Sequence, residues 1–148
     1  MIETAFTIAN LSVLPFWALL IFLPNARITR HFAQDGLIII LLGAAYTGLF
    51  VWTLTSGDSL GAMSSPSLET LSASFTDPRI MLLGWIHYLA FDLFVGMWIA
   101  RDAKRFQISH FLVAPCLFFT FMAGPLGAAA YLLIRFGYTR CMNFISQR

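Results

Sequence analysis

Apolar side chains dominate four stretches of the chain, approximately residues 5–23, 37–55, 80–100 and 111–136, and charges collect between them. Each stretch is close to the roughly 20 residues a helix needs to cross about 30 Å of hydrocarbon. The fold class this implies is all-α: a polytopic membrane protein, a four-transmembrane-helix bundle formed by residues 1–148 as a single domain.

The first span starts at a cap, Thr4 or Thr7, and ends near Pro24-Asn25. Asn10 and Pro15 lie within it, and a proline inside a membrane helix predicts a kink. The N-terminal stretch lacks a basic n-region and a small-residue cleavage site, so it reads as a retained span and not a secretory signal. A plastid transit peptide is also absent, which implies a bacterial chain or a trimmed one. Asp35-Gly36 precedes the second span, where Gly43, Ala44, Thr47 and Gly48 are small enough to let helix backbones approach. Tyr46 and Trp52 are candidates for interfacial anchors or pocket lining.

Between the second and third spans, residues 56–77 are rich in Gly, Ser and Thr and carry the acids Asp58, Glu69 and Asp77. Here Pro66-Ser67-Leu68-Glu69 resembles a helix start, and Leu68, Leu71 and Phe75 recur at helical spacing. These predict a short amphipathic helix, either filler at the membrane face or a lid. Thr76-Asp77-Pro78 then caps the third span, which runs to the basic cluster Arg101, Lys104 and Arg105. With Arg27, Arg30 and His31, that cluster makes the first and third connectors basic and places them in the cytoplasm, with the N-terminus outside. Arg135, Arg140 and Arg148 fall on the other side and count against this orientation. In the fourth span, Pro115-Cys116 and Gly124-Pro125-Leu126-Gly127 predict a bent or broken helix, and Cys116, Thr120 and Gly124 form a small stripe able to face the third span.

Composition agrees: 59% of residues are hydrophobic and 11% charged, against about 25% charged in soluble domains. A net charge of +2 with dispersed arginines argues against nucleic-acid binding. Neither a Walker-type phosphate loop nor a CxxC is present, and Cys116 and Cys141 stand apart.

The chemistry concentrates in the third span, MLLGWIHYLAFDLFVGMWIARDAKR. A carboxylate at mid-bilayer depth costs about 2.5–3.5 kcal/mol on insertion scales, so Asp92 requires a partner or a task. At about 100° per residue Tyr88, Asp92, Val95, Ile99 and Asp102 share one stripe, while His87 lies about 140° around from Asp92 and about 7.5 Å along the axis. Burial moves a carboxylate and an imidazole toward the range where either can give or take a proton. The plainer alternative is that Asp92 bonds a neighbouring span and fixes helix register. His87, Asp92, Asp102 and His110 are the right atom types for a metal, but their spacing does not gather them on one face, so neither metal nor cofactor is expected. Asp102 is expected to be solvated and paired with Arg101 and Lys104, Trp85 and Trp98 to sit at the interfaces, and Arg135 to snorkel to headgroups.

GWIHYLAFDLFVGMWIARDA, followed by APCLFFTFMAGPLGAAAYLLIR and supported by the early LPFWALLIFLPNARIT, resembles the abscisic-acid-deficient-four-like family, whose plant members are needed to make neoxanthin from violaxanthin. The resemblance covers most of the chain. It implies a four-span membrane isomerase or related acid–base enzyme for a carotenoid or isoprenoid, acting by epoxide opening to an allene without redox change. In that reading His87 and Asp92 handle the protons. Tyr88, Trp85, Cys116, Thr120 and Asn10 contact substrate, with Arg101, Asp102, Gly124 and Pro125 in support. The alternative is a non-catalytic carotenoid-binding or assembly protein. Expected partners are membrane lipid, a carotenoid-like substrate, and a second copy or a carotenoid enzyme, in a bacterial inner membrane or, for a trimmed plant chain, a plastid membrane.

Overall fold

The computed structural model describes residues 1–33, 36–56 and 67–139. Asp35, Asp58, Pro66, Arg140, Cys141 and Arg148, named above, lie outside them. Among the described residues the chain is all-helical: α1 (Ile2–Phe22), a π-helical turn (Thr29–Ala33), α2 (Leu37–Thr55), α3 (Leu68–Ser74), α4 (Pro78–Arg105), α5 (His110–Ala123) and α6 (Pro125–Thr139). Three of them, α1, α2 and α4, are long and apolar enough to cross a membrane, whereas α5 is apolar but only 14 residues long. Within their most apolar windows α1 is 22% buried, α2 17% and α4 39%, so α4 is the most enclosed of the three. Large apolar side chains such as Phe22, Ile40, Phe94 and Phe111 remain exposed, as helices bathed in acyl chains require.

Local chemistry sets the helix ends. Ser67 caps α3 by a capping box with Thr70, and Asp77 caps α4 by accepting the Arg79 backbone N–H at 2.8 Å, with Pro78 as the first helical residue. Beside that cap the Arg79 side chain donates to Asp77 at 2.9 Å; this contact, followed by the Arg79 backbone N–H, holds the Asp77 carboxyl below the usual carboxylate range. α3 lies where the short amphipathic helix was predicted, but it lasts seven residues, buries none, and leaves Leu68 82% exposed. α4 extends about a turn and a half beyond the predicted Ala100, to Arg105. It closes in a Schellman arrangement, Ile108 N–H to Ala103 C=O at 2.9 Å and Gln107 N–H to Lys104 C=O at 3.3 Å. Gln107 occupies the left-handed position, φ 54°, where glycine is usual.

The chain divides into two compact units: Met1–Val13 with Leu37–Phe91, and Leu14–Gly36 with Asp92–Arg148. One boundary falls inside α1 immediately ahead of Pro15, whose ring cannot donate to the Leu11 carbonyl. The first unit buries Ala9, Val13, Leu42 and Ile86. Its Phe75 ring approaches Gly84 so closely that a Cβ there would stand 2.8 Å away. In the second unit Leu20, Leu93, Ile99, Leu117 and Tyr131 are fully enclosed. Trp17 lies against Gly96, where a Cβ would come within 2.6 Å of the indole, and packs on Phe121 at 5.4 Å.

The run predicted as one fourth span is interrupted at Gly124, which carries φ 11° and ψ −76° and separates α5 from α6. Pro125 starts α6, where a missing N–H costs nothing. Gly127 then rests directly on the backbone and hydroxyl of Thr120, an approach that leaves no room for a Cβ. The predicted break is present, and it folds α6 closely onto α5.

Candidate functional site

In the first unit, three predicted substrate residues come together. The Trp85 indole Nε1–H donates to Asn10 Oδ1 at 3.1 Å, and Asn10 in turn donates its amide to the Phe6 carbonyl at 2.8 Å. Phe6 and Tyr88 pack on the Trp85 ring at 5.5 and 5.4 Å. Trp85 is thus buttressed within this unit by Asn10, Phe6 and Tyr88. His87 is exposed; it stacks on Phe91 at 4.5 Å and meets Tyr46 at 6.1 Å. Tyr46 stacks on Phe50, so four rings form a row along this side of the unit.

The second unit holds Asp92. Its carboxylate fills the notch left by the missing side chain of Gly124, touching the position a Cβ would occupy, and its Oδ2 is closed to solvent. The stripe Tyr88, Asp92, Val95, Ile99, Asp102 has no exposed member, and its last two residues are buried. Cys116 and Thr120, expected to present polar groups to substrate, are buried and donate to carbonyls of their own helix, Leu112 at 3.3 Å and Cys116 at 2.8 Å. Their hydrogens are committed to α5. Arg101 is exposed, whereas Gly124 and Pro125 form the break that receives Asp92.

Two expectations are corrected here. Asp102 is not solvated beside Arg101 and Lys104: it is 8% exposed, and its Oδ2 accepts the Tyr131 O–H at 2.6 Å. Arg135 does not reach for headgroups. It is 2% exposed, with Nε 2.8 Å from the same oxygen, off the hydrogen-bond line, so the attraction is ionic. Its guanidinium lies 4.8 Å over Phe106, and Trp98 meets the Tyr131 ring edge-on at 5.6 Å. A charge pair removed from water this completely needs its partners close, and a phenol, an indole and a phenyl ring complete the enclosure. The signal was available: Tyr131 and Arg135 are four residues apart on one helical face, and a lone arginine in an apolar run calls for a buried acid.

Also in the second unit, a cavity of about 220 Å³ opens where the end of α1, the end of α4 and the start of α5 converge. Asn25, Lys104, Gln107 and His110 contribute its polar lining, and His110 Nε2 is 2.7 Å from the Ile21 carbonyl. Among the described residues no group of three or more His, Cys, Asp or Glu could hold a metal.

Three helices long and apolar enough to cross a membrane, a carboxylate set into a helix break and a buried charge pair are the features of an integral membrane protein class that carries ionisable groups within its helices. The chain belongs to the ABA DEFICIENT 4-like family, whose model matches residues 4–131. It is similar to Protein ABA DEFICIENT 4, chloroplastic, of Arabidopsis thaliana, 27% identical over 138 residues, which are 90% of this chain and 61% of that protein. The chain therefore spans about three fifths of the length of the relative it matches. No solved structure matches it.

Proposed function

We propose that the chain is an integral membrane isomerase, or a related redox-neutral acid–base enzyme, acting on a carotenoid or similar isoprenoid. The observation that carries this reading is the Asp92 carboxylate, housed in the Gly124 notch at a break in an apolar helix. A helix break at membrane depth survives only where protein or a cavity serves its backbone, and placing a carboxylate there is expensive unless it works. Opening an epoxide to an allene delivers one proton to oxygen and withdraws one from the polyene. The balance is zero, and no electron carrier is required. Asp92 and His87 are the residues proposed to give and take those protons, each from its own surroundings.

The same reading makes α5 and α6 together the fourth crossing, with the first and third connectors in the cytoplasm and a bacterial inner membrane as the location. Family membership and the chloroplastic relative support the substrate class. A binding or assembly role is the second reading, favoured by the ring row of Phe50, Tyr46, His87 and Phe91, a flat surface suited to a polyene. Cells that make epoxidised carotenoids, expressing this chain or an empty vector, separate the two by pigment extraction. A new pigment of unchanged mass supports catalysis, and pigment that copurifies unconverted supports the binding role.

A further inference from the structure

The cavity at the end of the second unit has features that neither the proton chemistry nor the helix packing uses. Its charged and amide lining consists of Lys104, Asn25 and Gln107, and among the described residues no carboxylate lies in its walls. The nearby Asp102 is engaged with Tyr131 and Arg135. An ammonium with two side-chain amides and no acid is a donor set for an oxyanion. The remaining walls, including Ala103 and Val113, are apolar, which suits a ligand whose anionic group continues into hydrocarbon. His110 is anchored to the last turn of α1 through the Ile21 carbonyl, which ties α5 to α1 across the cavity.

Position selects the source of the anion. Pro24 and Asn25 directly follow α1, and Lys104 lies in the last turn of α4, so the cavity opens where two apolar helices stop. That is the headgroup layer of a bilayer, and the exposed Arg27, Arg30, Arg101 and Arg105 add positive charge on the same connectors. We infer that this cavity is a binding site for the phosphate of an anionic phospholipid headgroup, with Lys104 as the counter-charge and Asn25 and Gln107 as hydrogen-bond donors.

Native mass spectrometry of the full chain released from detergent tests this with phosphatidylglycerol, phosphatidylcholine and inorganic phosphate as probes. The expected result is retention of phosphatidylglycerol over phosphatidylcholine, weakened about ten-fold by Lys104→Gln, which removes a charge-assisted contact. Arg30→Gln, with the same loss of charge outside the cavity, should change retention less than about two-fold. Asn25→Asp sets a carboxylate in the wall at an exposed position and should weaken retention as strongly as Lys104→Gln, which guards against a folding artefact. Equal losses in Lys104→Gln and Arg30→Gln would overturn the site in favour of diffuse attraction. Displacement of the lipid by millimolar inorganic phosphate would overturn the lipid source and assign free phosphate.

Discussion

Replacing Arg135 with methionine leaves Asp102 enclosed with only the Tyr131 hydroxyl against it, and such a change is expected to cost about 3–5 kcal/mol. Asp102→Leu combined with Arg135→Met should cost less than either change alone, because both desolvated charges go together; unfolding of the four variants in detergent measures the cycle. The sequence placed Asp102 with Arg101 and Lys104, its neighbours in the chain. A helix turns neighbours to different sides, and the real partners lie on a helix about thirty residues later. Asp77 is the opposite case, legible from the Thr-Asp-Pro triplet because a cap is local. Its lowered pKa makes its contribution present above the ordinary aspartate value of about 3.9 and lost as pH falls through and below it. Asp77→Asn should therefore remove a small acid-range dependence from a stability-against-pH curve; the pair is partly exposed and screened, so the loss is modest.

The α5–α6 break and the end of α4 show how far local signals reach. Gly124-Pro125 announced the interruption, since glycine and proline act through their own backbone. The fit of Gly127 on Thr120 was hidden, because their contact depends on how the break folds one helix onto the other and not on either residue's own backbone preference. Gly127→Ala should destabilise by about 1–3 kcal/mol through overpacking, read as a lowered unfolding temperature. α4 outran its predicted end because hydropathy stops at the charges from Arg101 onward while the helical backbone continues through them to Arg105, closing where Gln107 takes the left-handed position. Gln107→Gly should relieve roughly 1 kcal/mol there and raise the unfolding temperature, while removing one donor from the cavity. The amphipathic spacing of Leu68, Leu71 and Phe75 gave the position of α3 but not its burial, since spacing records which residues share a face and not what covers them.

Hydropathy was enough to announce a helical membrane protein, because a span needs length and apolarity and little else. It could not separate Asp92, set against Gly124, from His87, exposed beside Phe91. Gly124, which receives Asp92, and Tyr46, which meets His87, are both distant in sequence from them. The four-crossing arrangement predicts that Arg30→Cys, in a chain with Cys116 and Cys141 replaced, reacts with a membrane-impermeant thiol reagent only from the cytoplasmic side, and Ser56→Cys only from the outer side. The central claim is that the Asp92 carboxylate performs proton transfer on a bound isoprenoid. Its most direct test is conversion of an epoxidised carotenoid by purified protein in liposomes, wild type against Asp92→Asn, with bound pigment measured in the same samples. The account predicts that the amide variant binds pigment as wild type does and converts it at least about 100-fold more slowly, the lower range of general acid–base contributions; conversion at the wild-type rate would contradict it.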